Sequence, residues 1–282
     1  CETFGEKEDP ALLLVMGAFS QGILWPTEFC EQLAAVGFYV VRYDHRDAGL
    51  STCFDYKKEP YDLRNMAQDA VGLLDALGID KVHVCGLSMG GPIAELMAVH
   101  FPDRVQSLTL MATSCDFRPS FLAYDQQSPA DMALPKPTEQ YLQLMQRFLH
   151  NAPKSPSEQL AQRLEAWSIL NGAMIPFEEE RYRELHTEFL QRLKHPESLT
   201  NHMGAIRSSL QLILEVPFQV NVPTVVIHGT EDPIFPLPHG PALAKCIRDS
   251  KLVLVEGFGH VPNRHFYPLF IEEIKAIAKV SS

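Results

Sequence analysis

Three side chains of this 282-residue chain have the types and settings needed to move an acyl group. Ser88 sits in Gly86-Leu87-Ser88-Met89-Gly90, a G-x-S-x-G pattern. The apolar run Val82-His83-Val84-Cys85 leads into it, and Gly90-Gly91-Pro92 opens a helical pattern behind it. That strand-turn-helix setting holds a serine on a strained elbow with its Oγ exposed above a sheet. The glycines let the strand and helix backbones approach closely, and the helix N-terminus contributes partial positive charge. A serine hydroxyl is a weak nucleophile, so it needs a base, and the base needs an orienting acid. His260, in Gly257-Phe258-Gly259-His260, and Asp232, in Thr230-Glu231-Asp232-Pro233, each follow an apolar strand-like run. Their order, Ser then Asp then His, matches a nucleophile carried on such an elbow. Asp116 is an alternative acid, Glu231 a neighbour of the expected one, and His265 reads as a surface residue.

Acyl transfer also requires donors for an oxyanion. The residue after the nucleophile supplies one backbone N–H and the loop after an early strand supplies the other. These are Met89 and, in Met16-Gly17-Ala18-Phe19-Ser20, Ala18.

The elements that must position these groups alternate strand and helix. Strands are predicted at 11–15, 38–43, 82–85 and 105–111, with a helix at 65–77 capped by Gly78 and another at 91–100. From 116 to 214 the alternation stops: a connector carrying Pro119, Pro129, Pro135 and Pro137 precedes helices at 138–149, 157–170, 177–194 and 198–214. Ser155 and Glu158 have capping-box spacing. Strands at 224–228 and 251–256 and helices at 240–247 and 267–280 then resume the pattern. The expected organisation is an α/β core from residues 1–115 and 216–282, interrupted by an all-helical cap at 116–215. Strand ends on one edge of the sheet then bring Ser88, Asp232 and His260 together.

Composition narrows the partners. A net charge of −11 without a basic cluster argues against nucleic acid and against an anionic membrane surface. The longest apolar stretch, 11–19, is about half of what crosses a bilayer, so no stable membrane insertion is expected. Six cysteines without C-x-x-C pairing or zinc spacing read as reduced thiols, which points to the cytoplasm. There is no P-loop and no G-x-G-x-x-G, and neither a cofactor nor a metal is expected. Oligomeric state is not encoded in any motif. The chain opens on Cys1 rather than Met, which suggests a clipped start.

The early Gly turn, the Ser88 elbow, the Asp-Pro loop and the Gly-x-Gly-His loop together resemble the α/β-hydrolase family over nearly the whole chain. Leu14-Val15-Met16-Gly17, Trp25-Pro26 and Arg42-Tyr43-Asp44-His45-Arg46-Asp47 with Gly49 and Ser51 resemble its aclacinomycin methylesterase type. The resemblance implies an α/β-hydrolase fold, a mostly parallel sheet flanked by helices with an inserted helical cap. It also implies serine hydrolysis of small-molecule carboxylic esters, methyl esters of apolar substrates among them, through an acyl-enzyme. Lactone hydrolysis, carbon–carbon bond hydrolysis and acyl transfer use the same triad, and a non-catalytic ligand-binding relative would share the fold. Family members carry a β-hairpin ahead of 11–15, of which Glu2-Thr3-Phe4-Gly5 represents the end. The Asp44 to Asp47 stretch reads as turn architecture. Phe19, Trp25, Trp167, Phe177, Phe218 and His228 are the pocket candidates.

Overall fold

The computed structural model describes residues 1–127, 132–150, 153 and 155–279. Glu2–Phe4 forms a short strand, β1, followed by β2 (Ala11–Val15), helix α1 (Thr27–Ala35), β3 (Tyr39–Arg42), α2 (Leu63–Leu77) and β4 (Val82–Leu87). Next come α3 (Gly90–His100), β5 (Val105–Met111) and six helices: α4 (Arg118–Tyr124), α5 (Glu139–His150), α6 (Pro156–Leu170), α7 (Glu179–Arg192), α8 (Asn201–Ser208) and α9 (Leu210–Glu215). The chain returns to the sheet with β6 (Thr224–Gly229), α10 (His239–Cys246), β7 (Lys251–Val255) and α11 (Tyr267–Ala278).

Seven strands form one sheet in the order β1-β3-β2-β4-β5-β6-β7, parallel except for β1, which runs antiparallel to β3. Burial on both faces explains the unbroken apolar runs: every residue of β2 is buried, Leu13 and Val15 in one core and Leu12 and Leu14 in the other. Between β3 and β4 the chain crosses back over β2, so β2 and β4 are neighbours whose following loops diverge. Such a switch in strand order opens a crevice at the carboxyl ends of the strands. Both the Met16 loop and Ser88 lie at that edge.

Local chemistry sets the element ends. Asp62 accepts the Arg64 N–H while the Asn65 side chain accepts the Asp62 N–H, and Gly78 closes α2 at φ 68° in the left-handed region. Ser155 Oγ accepts the Glu158 N–H at the start of α6.

Three elements differ from expectation. The helix expected at 198–214 is broken into a 3-10 turn (Pro196–Thr200), α8 and α9. Ser209 stands at the second break, where its hydroxyl donates to Ala205 O and accepts the Leu63 N–H, so a side chain replaces helical backbone bonding. The Pro-interrupted connector contains α4, with Pro119 in its first turn, where a missing N–H costs nothing. Amphipathic α1 went unread. Pro129 and Val280, the end of the last expected helix, lie outside the described residues.

Candidate active site

Ser88 occupies the tip of the turn between β4 and α3 at φ 54°, a left-handed conformation that costs a non-glycine residue about 1–3 kcal/mol. Its surroundings over-determine it: the Ser88 N–H donates to Met111 O (3.0 Å), and Ser88 O accepts the Gly91 N–H (2.9 Å) and the Thr113 hydroxyl (2.8 Å). Glycine is required on both sides. A Cβ at position 86 would lie 2.3 Å from Gly90 O, and one at position 90 would lie 2.1 Å from Val15 O. A Cβ on Gly17 would come within 3.7 Å of Ser88 Oγ, so the loop after β2 lies directly against the serine.

His260 follows β7 and Asp232 follows β6. His260 Nδ1 lies 2.9 Å and 3.0 Å from the two Asp232 oxygens, and Asp232 Oδ1 also accepts the N–H groups of Ile234 and Phe235, each at 2.9 Å. Burial pushes the Asp232 carboxyl up, but the charge and hydrogen bond of His260, then His228 and the Phe235 N–H, outweigh it and hold the group below 3.8. An ionised Asp232 accepts from Nδ1–H, which leaves the His260 Nε2 lone pair free. The His260 loop is tied to a distant element: His260 N–H donates to Leu170 O at the end of α6 (2.6 Å), and a Cβ on Gly259 would lie 2.2 Å from that oxygen. Asn263 donates to Asn171 in the same junction.

The alternative carboxylates are engaged elsewhere. Asp116 pairs with Arg118 through both oxygens, and Glu231 accepts the N–H groups of Ala173 and Met174. Asp44 and Asp47 serve the architecture: Asp44 accepts from Gly22 N and Leu50 N, Asp47 from Phe54 N and the Tyr61 hydroxyl.

Among the described residues, the N–H groups of Ala18 and Met89 have no hydrogen-bond partner. Two histidines hold the Ala18 loop: His45, in the stretch read as turn architecture, and His202, which carried no signal in the sequence. His45 Nε2 donates to Met16 O (2.9 Å); His202 Nδ1 accepts the Phe19 N–H (3.2 Å) while its Nε2 donates to Arg46 O (2.8 Å). His202 must be neutral to accept at Nδ1. Burial, then the charge of His202, lowers His45 to about 4, and burial lowers His202. Phe19 itself sits at φ 59°, so the loop is strained where His202 holds it.

Ser88, His260 and the Ala18 loop line one cavity of about 340 Å³, roofed by residues of α4 to α6. Phe19 and Trp167 line it as well. The other pocket candidates lie elsewhere. Trp25 is fully buried and stacks on Phe29; Phe177 stacks on Tyr182. Phe218 is 69% exposed. His228 is buried behind the acid loop, its Nε2 donating to Phe235 O. Aromatic residue type alone did not separate core from cavity. Conversely, Ser120, Tyr124, Tyr141 and Arg163 line the cavity unforeseen, because polar residues on helices read as solvent-facing. Among the described residues no group of His, Cys, Asp and Glu could hold a metal ion.

Residues 10–263 match the family described as alpha/beta hydrolase fold. The chain is 33% identical to rhodomycin D methylesterase DauP of Streptomyces sp. (strain C5) and 32% identical to rhodomycin D methylesterase DnrP of Streptomyces peucetius. Each alignment covers 98% of this chain and 92% of the relative. Among solved structures, the 2-hydroxy-6-oxo-6-phenylhexa-2,4-dienoate hydrolase from Rhodococcus sp. strain RHA1 superposes with a TM-score of 0.76 at 19% identity, covering 98% of this chain and 92% of that one.

Proposed function

Because the chain belongs to the α/β-hydrolase family, we propose that it is a serine hydrolase of small-molecule carboxylic esters, working through Ser88, His260 and Asp232. The observation that carries this reading is a serine held on a strained elbow in the same cavity as a histidine whose Nδ1 is fixed by a buried, ionised aspartate. Similarity to two methylesterases over nearly the full length favours an ester over a lactone or a carbon–carbon bond, and methyl esters among esters.

His260 Nε2 takes the Ser88 proton as Oγ attacks the ester carbonyl, and Asp232 stabilises the imidazolium. The free N–H groups of Ala18 and Met89 receive the oxyanion. Collapse expels the alcohol, protonated by His260, and water repeats the sequence on the acyl-enzyme. The helical segment 116–215 acts as the cap that walls the acyl and alcohol sites.

Among the described residues no helix is long and apolar enough to cross a membrane. Six cysteines outside any disulfide, three of them buried, support a reducing compartment, the cytoplasm. Labelling with a fluorophosphonate tests the nucleophile: the adduct is expected on the peptide bearing Ser88 and nowhere else. An adduct at another serine would exclude the assignment.

A further inference from the structure

The lining of the cavity that holds Ser88 contains one Arg side chain among the described residues. Arg163, on α6, lines it, and no Asp, Glu or Lys does so among the described residues. Arg163 has no ion-pair partner among those residues. Its guanidinium is nevertheless fixed. Nε donates to His186 Nδ1 (3.1 Å), and the Phe189 ring lies 3.5 Å beneath the guanidinium carbon. His186 is fully buried, and burial, then the charge of Arg163, pushes it down to about 2. A neutral imidazole orients the cation without cancelling its charge. Arg163 is partly buried, and that burial lowers it to about 9, with no counter-ion among the described residues to raise it.

A desolvated cation without an anion is costly. Here one edge of the fork is engaged, one face is stacked and the two terminal nitrogens have no acceptor among the described residues, which is the geometry that receives a carboxylate through paired N–H bonds. We infer that Arg163 is a specificity-determining residue, and that the substrate carries a free carboxylate, remote from the scissile ester, which docks on its guanidinium. Ser120, whose buried Oγ has no partner among the described residues, adds a second polar group to the same wall. The remainder of the lining is largely apolar, so the body joining ester and carboxylate is apolar. This inference rests on the hydrolase reading and narrows its substrate class.

The test compares p-nitrophenyl hemiesters of dicarboxylic acids, adipic to sebacic, with the same compounds capped as methyl esters at the far carboxyl. At one chain length at least, the wild-type protein should favour the hemiester by about tenfold or more in kcat/KM. Arg163→Met should lower the ratio of hemiester to capped-ester kcat/KM by about tenfold or more, and Arg163→Lys by less. A second measurement needs no variant: arylalkanoates should inhibit turnover of a neutral ester by wild-type protein far better than the matching amides. An unchanged ratio in Arg163→Met, or amides inhibiting as well as the acids, would overturn the inference while the hydrolase reading stood. Absence of turnover on every ester, charged or neutral, would instead sink the hydrolase reading itself.

Discussion

Asp232 makes four hydrogen bonds from a site that is 2% exposed, two through His260 and two from backbone N–H groups, so its charge is built into the fold. Asp232→Asn keeps the shape but allows the wrong His260 tautomer, and kcat should fall by about 10³- to 10⁴-fold. The same change has a pH signature. A carboxyl whose folded pKa lies below 3.8 contributes stability that is present above that value and is lost as pH falls through the folded one. The stability advantage of wild type over Asp232→Asn should therefore shrink in acid, as read by denaturant melts; a gap constant with pH would contradict it. His202 acts through the Phe19 N–H rather than on substrate. His202→Ala should lower kcat about tenfold or more with KM little changed, and His202→Asn, which restores an acceptor, should recover part of the loss. A change in KM alone would remove His202 from the account. Ser88, Asp232 and His260 were legible because each sits in a short local pattern of strand, turn and glycine. His202 and Arg163 were not: nothing near them in the chain announces Phe19 or the cavity.

Helix α3 is buried around most of its circumference, with every residue from Gly90 to Ala98 inside, and this carries a charge-bearing side chain into the core. Glu95 is fully buried, and neither carboxylate oxygen has a partner among the described residues. Burial, then Cys246, raises its pKa well above 4.5. Between the unfolded and folded values the unfolded chain releases a proton that the folded chain keeps, so wild-type stability falls as pH rises. Glu95→Met, similar in volume and without polar atoms, should stabilise the protein by about 1 kcal/mol at neutral pH. Its advantage in thermal or urea melts should widen as pH rises above the unfolded carboxyl value of 4.5; a margin that narrows would contradict this. Strands were readable at this scale because burial on both faces makes them mostly apolar, β2 as an unbroken run and β5 with polar Gln106, Ser107 and Thr109 interspersed, both to the residue. Helix breaks were less so. The end of α8 depends on Ser209 meeting the Leu63 N–H, a contact across 146 positions of sequence.

At the scale of the molecule, the sheet edge and the helical segment form one device. His260 sits on the loop after the last strand, yet its N–H is held by Leu170 from α6, so the helical segment helps to place the proposed base as well as to roof the cavity. The alternation of strands and helices foretold the parallel sheet and the edge at which Ser88, Asp232 and His260 lie. It could not foretell which aromatic residues face the cavity: Trp25 packs in the core on Phe29, whereas Trp167 lines the cavity. The net charge of −11 is likewise blind to Arg163, the one Lys or Arg on the cavity wall among the described residues. The central claim, that Ser88 attacks an ester carbonyl, is tested most directly by the turnover of a p-nitrophenyl acyl ester by Ser88→Ala, with its fold checked by circular dichroism. The account predicts a folded protein whose kcat is reduced by about 10⁴-fold or more. A folded Ser88→Ala protein with undiminished turnover would contradict it.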